Sequence, residues 1–127
     1  MNEFYQKDII SIKDYSKEQL EKIFTSTDKI MQLDSLQRRE ICKGKTLGYL
    51  FYEPSTRTRL SFDSAMASIG GSSLGISNIS SSSTQKGESL ADTVKVMSIY
   101  SDVLVLRHTL DGSSTVSYTH LTLPTKA

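Results

Sequence analysis

The chain has 127 residues, 15 lysines and arginines against 14 aspartates and glutamates, and a formal net charge of +1, so it carries no bulk electrostatic footprint for nucleic acid or an anionic membrane. A single cysteine excludes a disulfide scaffold, and no apolar run approaches membrane-spanning length. With no signal-peptide pattern either, the expected location is the cytoplasm, and the length suits one domain. Along the chain, Tyr15-Ser16-Lys17-Glu18-Gln19-Leu20 combines an N-cap serine, a capping-box glutamine and a hydrophobic staple from Tyr15 to Leu20. Leu20, Ile23, Phe24, Ile30 and Met31 continue as a helical stripe, expected to be structural and to pack on a sheet. Lys43 to Lys45 read as a solvated turn, and Cys42 beside them has no histidine motif that would mark a nucleophile.

Thr46 to Tyr52 is a short apolar and aromatic stretch bounded by turn-type residues, which reads as a buried strand. Pro54 biases Glu53 to an extended conformation and ends it. Ser55 is then a natural N-cap, and Phe62, Met66 and Ile69 share one helical face until Gly70-Gly71 supplies a stop. Strand, turn and helix thus converge on Glu53-Pro54-Ser55-Thr56-Arg57-Thr58-Arg59-Leu60-Ser61-Phe62. The free N–H groups of the helix start and the positive end of its dipole favour an anion by about 0.3–1 kcal/mol. Hydroxyls of Ser55, Thr56 and Thr58 can donate to phosphate oxygens, and an arginine fork matches two of them. Arg57 and Arg59 are two positions apart and diverge on a helix, so one of them is expected to reach the ligand. Spacing alone equally fits a capped helix start with solvated arginines.

Ser80 to Glu88 is a polar loop carrying Lys86, followed by Ser89-Leu90-Ala91-Asp92, a capping-box pattern that opens another helix. A ligand-facing loop and a plain serine-rich connector both fit this composition. Asn78-Ile79-Ser80 is a glycosylation sequon only in a secreted protein and is taken as chance. Val103 to Leu106 is a continuous apolar strand ending in Arg107-His108. Ligands of open parallel sheets bind outside the carboxyl ends of strands, which favours Arg107 as a site residue, while a locally hydrogen-bonded strand-end residue suits His108. The alternation of helix and strand predicts an α/β fold, a three-layer αβα arrangement around a parallel sheet with right-handed crossovers.

Three segments together resemble the aspartate branch of the carbamoyltransferase family, in its N-terminal, carbamoyl-phosphate-binding domain. They are Phe51 to Phe62, Lys86-Gly87-Glu88-Ser89-Leu90-Ala91-Asp92-Thr93, and Tyr100-Ser101-Asp102 with Arg107-His108. The Ser-Thr-Arg-Thr-Arg element alone is shared with ornithine carbamoyltransferases. The resemblance implies that Ser55, Thr56, Arg57 and Thr58 hold the phosphate of carbamoyl phosphate, with Arg57 neutralising the departing phosphate. Thr58 and Arg107 match groups that polarise the carbamoyl carbonyl. Ser82 and Lys86 match a loop that enters the neighbouring subunit's site, which implies a homotrimer, to which a regulatory chain can attach. The implied reaction is transfer of the carbamoyl group to L-aspartate, giving carbamoyl aspartate and phosphate in pyrimidine biosynthesis, with no metal or organic cofactor.

The resemblance stops after Asp111-Gly112. Residues 1–112 therefore read as an incomplete carbamoyl-phosphate-binding domain of a two-domain enzyme, and residues 113–127 as a tail foreign to the family, similar to a translated sequencing adapter. The family's His-Pro-Thr-Gln stretch and aspartate-binding second domain have no counterpart here, and His120 lies in no matching motif. The expectation is an aspartate carbamoyltransferase fragment without turnover of its own, its apolar strand edge near Val103 to Leu106 prone to aggregation. An ornithine or other carbamoyltransferase and a non-catalytic phosphate-binding paralogue are the alternatives. A nucleotide P-loop is disfavoured, because no Gly-x-x-x-x-Gly-Lys-Ser/Thr run occurs.

Overall fold

One strand divides two cores. In strand β1 (Thr46–Phe51), Leu47, Tyr49 and Phe51 point to one face and pack with Met66, while Leu50 points to the other and packs with Val94 and Met97. This is the period of two of an extended chain, and a strand buried on both faces has to be apolar throughout. The computed structural model describes residues 3–53, 55–77 and 90–108. Within them, a turn of 3-10 helix (Ile12–Asp14) precedes α1 (Lys17–Gln32) and the short α2 (Ser35–Arg38). After β1 come α3 (Thr56–Ser68), β2 (Ser72–Ile76), α4 (Leu90–Tyr100) and β3 (Val103–Arg107).

The three strands are parallel, in the order β2-β1-β3. From β1 the chain passes through α3 to β2 on one side, then returns through α4 to β3 on the other. Met66 of α3 and Val94 and Met97 of α4 lie in separate cores, so the two helices cover opposite faces and the expected αβα layering is present. That reversal makes the β1–β3 boundary a topological switch point, with Leu47 beside Val103 and Phe51 beside Arg107. At the far end Asp102 clamps the two strands: its N–H donates to the Thr46 carbonyl and its Oδ2 accepts from the Thr46 N–H, both at 2.8 Å.

Local signals in the sequence account for most boundaries. Ser16 and Gln19 form the expected capping box, and Asp34 with Gln37 forms a second one at α2 that the sequence reading passed over. The glycine stop of α3 is a Schellman turn: the Gly70 N–H donates to the Ala67 carbonyl at 3.2 Å and the Gly71 N–H to the Met66 carbonyl at 3.0 Å. Gly70 has φ +93°, and a Cβ there would also strike the Arg39 carbonyl. Gly48 admits α4 to the sheet, since a Cβ on it would lie 2.8 Å from Ser101 Oγ and 3.0 Å from Met97 Cγ. Gly48→Val is therefore expected to cost about 1–3 kcal/mol by overpacking. A urea midpoint unchanged from the parent chain would contradict that packing.

Two expectations fail. The α1 stripe does not pack on the sheet: α1 buries no residue, and Phe24 and Met31 are 65 % and 68 % exposed. Around β1 both sheet faces are already packed by α3 and α4. On α3 the predicted stripe closes only at its C-terminal end, where Met66 is buried and Ile69 packs beside it, whereas Phe62 stays 37 % exposed. The sequon at Asn78, the loop with Ser82 and Lys86, the capping pattern at Ser89 and the tail from 113 lie outside the described residues.

Candidate anion site

The carboxyl ends of β1 and β3 are tied by a bond from the Tyr52 N–H to the Arg107 carbonyl at 2.8 Å. Both side chains that follow the apolar run of β3 are thereby fixed in direction. Arg107 shares the α3 face with its register partner Phe51, and its side chain reaches the start of α3. Its Nη1 donates to Ser55 Oγ at 2.8 Å and to Thr58 Oγ1 at 3.0 Å, while Nε donates to Glu53 Oε2 at 3.1 Å. One guanidinium thus gathers residues from the β1 exit, the turn and the first turn of α3. His108 faces the other way and lies against the Tyr52 ring, with centroids 4.6 Å apart.

Ser55 occupies the N-cap position, but its side chain makes no capping bond and its backbone sits at φ −153°, ψ 65°. Its hydroxyl is engaged by Arg107 instead. The sequence expectation of an ordinary serine cap is corrected accordingly: the strand-end arginine is the stronger, charged donor for that oxygen. A consequence follows for the helix. α1 and α2 each satisfy one first-turn N–H, that of Gln19 and of Gln37, through a capping box, whereas the first turn of α3 has no side-chain cap and no acidic residue. Its amides and dipole are therefore left to an external acceptor.

The two arginines of the motif diverge as expected. Arg59 Nη1 lies 3.6 Å from Asp63 Oδ2 within α3, and the other oxygen of Asp63 accepts from Ser73 Oγ at 2.7 Å, which makes Asp63 the tie between α3 and β2. The Arg57 guanidinium has no ion pair among the described residues and stands exposed at the end of an open groove along α3, with Leu60, Ser61 and Ser64. Thr56 is exposed beside it. The structure thus joins Ser55, Thr58 and Arg107 directly and sets Thr56 and Arg57 on the same helix start. Ser82 and Lys86 fall outside the described residues.

Glu53 is the residue that sequence reasoning missed. Its side chain is 33 % exposed, that of Arg107 is 44 % exposed, and the two form the ion pair that sets the fork's orientation. The available signal was an acidic residue at the exit of a buried strand, directly before a basic helix start. Only the parallel pairing of β1 with β3 shows which cation it meets.

A doubly covered parallel sheet, with arginine and hydroxyls converging at its switch point beside an uncapped helix, defines an α/β anion-binding domain. Comparison with known proteins gives the family. The chain matches the aspartate/ornithine carbamoyltransferase, carbamoyl-P binding domain over residues 7–124 and belongs to that family. It is 82 % identical over 114 residues to the aspartate carbamoyltransferase catalytic subunit of Nitrosopumilus maritimus (strain SCM1), covering 90 % of this chain and 37 % of that one. Among solved structures, the catalytic subunit of M. jannaschii aspartate transcarbamoylase superposes with a TM-score of 0.83 at 42 % identity, covering 92 % of this chain and 39 % of that one. Aspartate transcarbamoylase from Trypanosoma cruzi, in complex with carbamoyl phosphate and aspartate, gives 0.81 at 30 % identity, over 95 % and 40 %. The chain therefore spans less than half the length of these relatives.

Proposed function

We propose that this chain is the carbamoyl-phosphate-binding part of an aspartate carbamoyltransferase catalytic subunit, whose full-length form transfers the carbamoyl group of carbamoyl phosphate to L-aspartate. The observation that carries this reading is the three-way junction of Arg107 with Ser55 and Thr58 at the uncapped start of α3. The high identity to an aspartate carbamoyltransferase subunit favours aspartate over ornithine as the acceptor. The aspartate amine attacks the carbamoyl carbon, the bond from that carbon to the phosphate oxygen breaks, phosphate leaves with the electron pair, and the proton lost by the attacking nitrogen goes to the departing phosphate. Ser55, Thr56 and the free amides of α3 hold the phosphate, and Arg57 neutralises the charge that grows on it. Thr58 and Arg107 polarise the carbonyl oxygen, on which negative charge accumulates in the tetrahedral state. Fixing both ends of so small a substrate also removes the orientational part of the barrier.

In this reading residues 1–112 form the family part and 113–127 a tail foreign to it; the family match that runs to residue 124 weighs against placing the boundary so early. Ser82 and Lys86 act in the site of a neighbouring subunit, so that the working form is a homotrimer of the cytoplasm, serving pyrimidine synthesis. Among the described residues no helix is long and apolar enough to cross a membrane, which is compatible with that setting. A long read of the source DNA across the codons for Asp111 to Ala127 tests the boundary, with continuation into a His-Pro-Thr-Gln stretch expected. In the full-length enzyme Arg57→Ala is expected to lower turnover on the order of a thousandfold, as removal of a single oxyanion donor does. Mixing Arg57→Ala with Lys86→Ala subunits restores part of the activity if sites are shared. Near-normal turnover in the first variant, or no recovery in well-mixed trimers, would refute the respective assignments.

A further inference from the structure

Two residue pairs meet where β1 and β3 end, one on each face of the sheet. On the α3 face, Glu53 Oε2 accepts from Arg107 Nε at 3.1 Å. On the opposite face the rings of Tyr52 and His108 lie with centroids 4.6 Å apart and planes tilted by 49°, a geometry in the attractive range for ring pairs. Between the pairs runs the 2.8 Å bond from the Tyr52 N–H to the Arg107 carbonyl. The main chain of Arg107 is thus pinned at its own carbonyl and again, one residue on, through the His108 ring. Tyr52 supplies both pins, and its side chain is itself seated against the core of Leu50, Val94 and Met97.

Arg107 needs such support. It is the last residue of β3, and its side chain is 44 % exposed, so packing does not hold it. Its ion pair with Glu53 is open to water, where a charge pair constrains geometry only weakly. A guanidinium on a long stem aims its fork at a ligand only as well as the backbone beneath it is fixed, and a small misplacement is costly in a site that works by orientation. The half-buried stack of Tyr52 and His108 fixes that backbone from the face away from the ligand. We propose that His108, through its stack on Tyr52, is a positioning residue for Arg107, directing the guanidinium at the carbamoyl oxygen. This inference rests on the site proposed above, since it gives Arg107 a task to be positioned for.

A double-mutant cycle in the full-length enzyme of the parent gene tests it, read by titration calorimetry with carbamoyl phosphate. His108→Ala is expected to weaken binding about tenfold, within the coupling range of residues in contact, and to have no further effect once Arg107→Ala is present. A merely structural role would weaken binding equally in both backgrounds, and that result would overturn the proposal. His108→Phe keeps a flat ring against Tyr52 and should return the affinity to within about twofold of the parent. Tyr52→Leu keeps apolar volume toward α4 and removes the ring, so it should reproduce the loss without adding to that of His108→Ala. It carries the same comparison if His108→Ala does not fold. Parent-like binding by His108→Ala, with binding lost in Arg107→Ala, would overturn this inference and leave the site standing. Parent-like binding by Arg107→Ala itself would overturn the proposed site, and this inference with it.

Discussion

Arg107→Ala is expected to weaken binding of carbamoyl phosphate on the order of a hundredfold. The guanidinium now makes two bonds to hydroxyls and one to a carboxylate, and each charge-assisted bond it transfers to the ligand is worth about 1.5–3 kcal/mol. Two such bonds at the lower bound, for a group about half exposed, give about 3 kcal/mol, which is the stated factor. Titration calorimetry with carbamoyl phosphate and, separately, with inorganic phosphate checks this. Loss with both ligands assigns Arg107 to the phosphate; loss with carbamoyl phosphate alone assigns it to the carbonyl, as proposed. No loss with either would remove Arg107 from the site. Glu53→Gln provides the opposite control. It takes away the carboxylate that competes for Nε while keeping the shape, so anion affinity should rise about tenfold. Arg59→Ala should leave affinity nearly unchanged, since that guanidinium is turned to Asp63.

Phe51→Ala is expected to cost about 3–5 kcal/mol of folding stability, the range for deleting a fully buried aromatic side chain. Phe51 is 0 % exposed, packs with Leu47, Tyr49 and Met66, and lies with its ring centroid 5.4 Å from that of Tyr49. The loss is a large part of the about 5–15 kcal/mol that holds an ordinary domain together. It should also reach the site, because Phe51 is the register partner of Arg107 and immediately precedes the strand exit. Circular dichroism against urea measures the first effect. A midpoint within error of the parent chain would mean that the β1 core is not as described. Phe62→Ala, on α3 and 37 % exposed, should cost clearly less.

Much of the candidate site was legible in order along the chain. The strand, the proline exit and the hydroxyl- and arginine-bearing helix start are local features, readable because an apolar run and a turn residue act over a few positions. The divergence of Arg57 from Arg59 was readable for the same reason, being a matter of helical angle. The Glu53–Arg107 pair was not, since its members are 54 positions apart and meet only because β3 pairs with β1 and not with β2. The role of Ser55 was misread in the same way: a serine before a helix is locally a cap, and only a distant cation at 2.8 Å diverts its oxygen.

The amphipathic stripe of α1 shows the same division from the other side. Its existence and its capping box were fixed by residues Ser16 to Met31, because helical periodicity and capping are properties of neighbours. What the stripe packs against was not, because burial is a competition for surface among all elements, and α3 and α4 hold both faces of the sheet around β1. The sequence by itself thus determined the elements, the chemistry of the helix start and, through its motifs, the family. The tertiary structure decided which strand ends adjoin, which cation meets which hydroxyl and which apolar face stays uncovered, since those outcomes depend on contacts between residues far apart in the chain.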